Sequence, residues 1–64
     1  MTASKFFFKM YELLEDARAH GSKRSWAILW RFIQKRHTFP GIPELPGERE
    51  AAWLAARRLW GHRW

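Results

Sequence analysis

Three histidines, His20, His37 and His62, are the residues of this 64-residue chain best suited to hold a metal ion or pass a proton. Each falls in the last turn of an expected helix, where an imidazolium meets the negative end of the helix dipole. A three-histidine metal site needs the rings to converge, and antiparallel packing sends His37 to the opposite end of a bundle from His20 and His62. Thr2, Ser4, Ser22 and Ser25 stand at or near helix starts, where capping accounts for their hydroxyls without nucleophilic chemistry. The stretch "PGIPELPG" lacks the following lysine and the preceding strand of a phosphate-binding loop. Glu12, Glu15 and Asp16 lie close to bases such as Lys9 and Arg18, at spacings that make solvated surface pairs on a helix. The expectation is a protein that is no enzyme, with no metal, no cofactor and no small-molecule ligand.

Tryptophan and arginine remain, and their chemistry is recognition. Five tryptophans, five phenylalanines and a tyrosine are more large rings than one core of this size can hold. A chain this short buries only about 60% of its unfolded surface. Several rings must therefore stay at least partly exposed, and exposed aromatic patches mark interaction surfaces. The ending "WLAARRLWGHRW", residues 53–64, interleaves three tryptophans with three arginines, residue types that dominate binding hot spots. Over "RRLWGHRW" it also resembles tryptophan-arginine antimicrobial peptides, which implies a membrane-surface role for those eight residues alone.

The elements that position these residues follow from periodicity. Phe6, Phe7, Met10, Leu13, Leu14 and Ala17 recur at helical spacing from a Thr2 or Ser4 cap until "HGS", which predicts a helix over about 3–20. Gly21 suits the position after that helix, and Ser22 can cap a second helix of about 23–37. Its apolar residues Trp26, Ile28, Leu29, Trp30, Phe32 and Ile33 cover roughly 200° of the helical wheel, wider than an ordinary surface helix. It is either the central helix or one that also packs on a partner. Arg24, Arg31 and Lys35 line the remaining side as a basic ridge.

Prolines at 40, 43 and 46 forbid helix through "HTFPGIPELPG", where Phe39, Ile42 and Leu45 are expected to fold back over the bundle end as an ordered connector. A third helix is predicted over about 46–62, with Ala51, Ala52, Ala55, Ala56 and Leu59 as a small-residue face and Glu48 and Glu50 at the positive dipole end. The fold class is all-α: a single-domain antiparallel three-helix bundle. Phe6, Met10, Leu13, Leu29, Ile33, Ala52, Ala56 and Leu59 are the expected core.

Net charge is +6, and residues 21–37 carry Lys23, Arg24, Arg31, Lys35 and Arg36 with no acid. Such a balance suits acidic partners. There is no cysteine, so disulfides and thiolate metal sites are excluded. The longest apolar stretch, "WAILWRFI", is far short of the roughly 20 residues that span a bilayer, and no signal-peptide pattern opens the chain, so a soluble, unprocessed protein is expected.

Over its whole length the sequence resembles computationally designed three-helix mini-binders. The features that carry the resemblance are about 60 residues without cysteine, capped helices, the alanine-rich "EREAAWLAARRLW" and aromatics beyond the needs of a core. It departs from them in its long connector and its three histidines. The resemblance implies a protein that occupies, and blocks, an acidic or apolar surface of a target protein. The binding residues expected are Trp26, Trp30, Arg31, Arg49, Trp53, Arg57, Trp60 and Trp64, with Phe8 and Tyr11 on the first helix as a competing patch. The alternative is a small natural phage or bacterial protein that binds nucleic acid through Arg24, Arg31, Lys35 and neighbouring rings.

Overall fold

The computed structural model describes residues 3–61 and contains three α-helices: α1, Ala3–His20; α2, Lys23–His37; and α3, Glu48–Leu59. No strand occurs among the described residues. α2 packs against both other helices, and α1 and α3 meet each other much less. This central position explains its broad apolar arc, which serves two neighbours.

The α1–α2 turn is built from local chemistry. Gly21 takes φ +66°, a left-handed conformation that suits glycine, and its N–H donates to the Ala17 carbonyl at 2.7 Å. Ser22 then caps α2, its hydroxyl accepting from the Ser25 N–H at 3.2 Å. Ser4, offered above as a cap, lies inside the first turn of α1, and Thr2 falls outside the described residues.

α3 begins later than the expected Pro46. Gly47 adopts φ +76°, incompatible with a helical turn, and its carbonyl accepts the first full helical bond, from Ala51 N–H at 3.0 Å. The glycine has no side chain to cap with. Glu48 compensates by reaching back, Oε1 accepting the Leu45 N–H at 3.2 Å.

The core consists of Phe6, Met10 and Ala17 of α1, Trp26, Leu29 and Ile33 of α2, Leu45 of the connector, and Ala51 and Ala55 of α3. Phe6 is its aromatic hub, with its ring centroid 5.3 Å from Phe32 and 5.1 Å from Phe39. Four expected core residues, Leu13, Ala52, Ala56 and Leu59, are only half-buried. On α3 the inward stripe is Glu48, Ala51 and Ala55, an i, i+3, i+7 row that turns Ala52 and Ala56 to the margin.

That stripe is anchored by a buried ion pair. Arg36 Nε donates to Glu48 Oε1 at 2.7 Å, Arg36 Nη2 donates to Oε2, and Nη1 donates to the Ile42 carbonyl at 3.1 Å. The His37 ring, half-exposed, lies 3.0 Å from the same Oε2. One glutamate thus gathers the end of α2, the connector and the start of α3.

Candidate functional site

The aromatic residues of α2 and α3 separate into core and surface. Trp26, expected in the binding face, belongs instead to the core at 3% exposure, with the Arg58 guanidinium 5.6 Å above its ring. It lies in line with Leu29 and Ile33, three and seven residues on, so the apolar stripe of α2 carries it inward. Trp30, four residues further, sits at the boundary and meets Trp60 edge to face, with centroids 5.3 Å apart and planes at 80°. This contact joins α2 to the residue that ends α3.

From Trp60 the surface continues along α3. Trp53 and Trp60, i and i+7, are 52% and 59% exposed, and the Arg57 guanidinium lies 5.2 Å from the Trp53 ring. That stacking holds a cation and a ring in one preformed unit. Arg49 is exposed near the start of the same helix, paired with Glu44 at 3.3 Å. An ion pair this solvated contributes little and releases its arginine readily. Arg31 is exposed but lies about 100° around α2 from Trp30, so it borders the rings less directly than Arg57 does. Trp64 lies outside the described residues, as does His62. The structure thus pairs Trp30 with Trp60 and Arg57 with Trp53, and leaves out Trp26.

The competing patch on α1 is present as well. Phe8 and Tyr11 are 69% and 53% exposed, and the Phe7 ring lies 5.7 Å from one and 6.3 Å from the other. An open groove of about 330 Å³ runs beside it, lined by Phe7, Met10, Tyr11 and Leu14 with Glu15 and Glu50 among its polar members. Among the described residues its one cation is Arg18.

The residues missed by sequence reasoning are Arg36 and Glu48, read there as general basic excess and as a dipole partner. A signal existed: Arg36 stands three after Ile33 and seven after Leu29, inside the apolar arc, and Glu48 bears the same relation to Ala51 and Ala55. Hydrogen bonding to Glu48 raises the Arg36 pKa against the opposing effect of burial. For Glu48, burial pushes upward, but hydrogen bonds from Arg36, the Leu45 N–H and His37 outweigh it and hold the carboxyl below the usual glutamate value. With every oxygen partnered and little solvent access, this cluster is structural.

Among the described residues no group of three or more histidine, cysteine, aspartate or glutamate side chains could hold a metal ion. No helix among them is long and apolar enough to cross a membrane. No protein-family model, curated protein or solved structure matches this chain.

Proposed function

We propose that this protein is a non-catalytic binding module of the designed mini-binder kind, which occupies and blocks a surface of a target protein through Trp30, Trp53, Arg57 and Trp60. The supporting observation is the Trp30–Trp60 ring contact, which unites α2 and α3 into one aromatic surface with two of its indoles more than half exposed. Arg31 and Arg49 frame it. Large rings held on helices lose little conformational entropy on binding, and the guanidinium stacked on Trp53 adds a fork for carboxylates. The partner that fits is apolar at its centre and acidic at its rim. In this reading the helices run antiparallel in sequence order and the proline-rich connector is ordered. Arg36 and Glu48 at one end of the α2–α3 pair, and Trp30 and Trp60 towards the other, support that arrangement.

The test compares two pairs of substitutions. A target captured by the wild-type chain is predicted to be lost on Trp53→Ala or Trp60→Ala, each weakening binding at least about thirtyfold, which corresponds to about 2 kcal/mol. Phe8→Ala and Tyr11→Ala should change the affinity little. The reverse ranking would transfer the binding function to α1.

A second reading has one observation in its favour: Arg24, Arg31 and Lys35 are exposed on α2 without an ion pair to any described residue. Nucleic acid held by these three would bind with a log-log salt slope of about −2 to −3. The protein-binding account predicts only weak, non-specific association. Micromolar binding that persists at physiological salt would favour the nucleic-acid reading.

A further inference from the structure

A cavity of about 250 Å³ opens where the end of α1 faces α2 and α3, on a part of the surface that the tryptophan face does not use. Its lining is Ala17, Arg18, Gly21, Trp26, Leu54 and Arg58. The geometry points to an oxyanion-binding site here, accepting a phosphate group between the Arg18 and Arg58 guanidiniums.

Four observations carry this. Among the described residues the two arginines are the only charged members of the lining, so two positive charges share one concave surface. Neither makes an ion pair with a described residue. Arg58 is steadied by its position over the Trp26 ring, which limits the rotamer entropy it would lose on binding. Trp26 itself lines the cavity, and its buried Nε1–H has no hydrogen-bond partner among the described residues, so its indole resonance reports on this corner of the fold.

Two influences oppose the site: Glu15 and Glu50, which share with Arg18 the groove beside α1, and the negative end of α1. The helix end is partly answered already, because the Ala17 carbonyl accepts from Gly21 N–H and the His20 Nδ1 position lies 3.0 Å from the Asp16 carbonyl, and neither acid lines the cavity itself. A phosphate group carries about 1.5 to 2 negative charges around neutral to mildly alkaline pH and offers several acceptor oxygens. That charge matches two guanidiniums, whereas a carboxylate would match one.

The test is a titration of uniformly ¹⁵N-labelled protein with inorganic phosphate at constant ionic strength, following the tryptophan indole N–H resonances. The Trp26 resonance, identified by its loss in Trp26→Phe, is expected to shift saturably while those of Trp53 and Trp60 stay in place. Arg18→Gln and Arg58→Gln should each weaken the response at least tenfold with helical circular dichroism retained, and Arg58→Lys should weaken it less than Arg58→Gln. A shift that does not saturate, that chloride reproduces, or that both glutamine variants retain would overturn the site. Acetate saturating as tightly as phosphate would overturn the dianion assignment.

Discussion

Glu48 is the residue on which the end of α2, the connector and the start of α3 converge, since its carboxylate holds Arg36, the Leu45 N–H and the His37 ring together. Removing one member of a buried pair leaves the other charge uncompensated, so Glu48→Gln is predicted to cost about 3 to 5 kcal/mol in a urea melt. The apolar double replacement Arg36→Met with Glu48→Leu should recover much of that. The pH dependence follows from the direction of each shift. Glu48 has a folded pKa below its unfolded value, so its contribution is complete above about pH 4.3 and is lost as pH falls through the lower folded value. Arg36 is shifted upward, so its contribution is complete throughout the accessible range below its unfolded pKa. Thermal melts are therefore expected to show stability falling from about pH 4 downward, with that acid limb flattened in Glu48→Gln. An unchanged acid limb would remove Glu48 from its structural role.

At the scale of the element, α3 shows how far periodicity can be read. Its alanines plainly mark a close-packing face, but five small residues cover too wide an arc for the wheel alone to choose the inward row. The choice is made by a polar group. Glu48 must reach Arg36, and that rotation buries Ala51 and Ala55 while Ala52 and Ala56 stay half-exposed. The same limit applies to the start of α3, because Pro46 suits a first turn and only the left-handed φ of Gly47 delays it. In contrast, "HGS" and the Ser22 cap mark the α1–α2 turn through local chemistry that needs no tertiary partner. The α3 orientation predicts an asymmetry: Ala55→Leu should destabilise by about 1 to 3 kcal/mol through overpacking, despite adding apolar surface. Ala56→Leu, one position around the helix, should fall within about 0.5 kcal/mol of wild type. Equal effects at the two positions would mean that α3 is rotated otherwise.

For the whole molecule, the ring count was the decisive sequence feature, because a domain of this size cannot enclose eleven aromatic side chains. Which rings stay outside depends on helix rotation and crossing, and that is why Trp26 was legible as a large apolar residue of α2 but not as core. Among the described residues the accessible face consists of Trp53 on α3, Trp60 just past its end and Trp30 at the seam, and the binding proposal depends on Trp53 and Trp60 standing free in solution while Trp26 does not. Iodide quenching of tryptophan fluorescence measures this directly. In a Trp64→Phe background, which confines the signal to the described indoles, a large quenchable fraction is expected, sharply reduced by adding Trp53→Phe with Trp60→Phe and undiminished by adding Trp26→Phe. If adding Trp53→Phe with Trp60→Phe leaves the quenching of that background unchanged, or if all four of its tryptophans resist iodide, the aromatic face does not exist and these rings belong to the core.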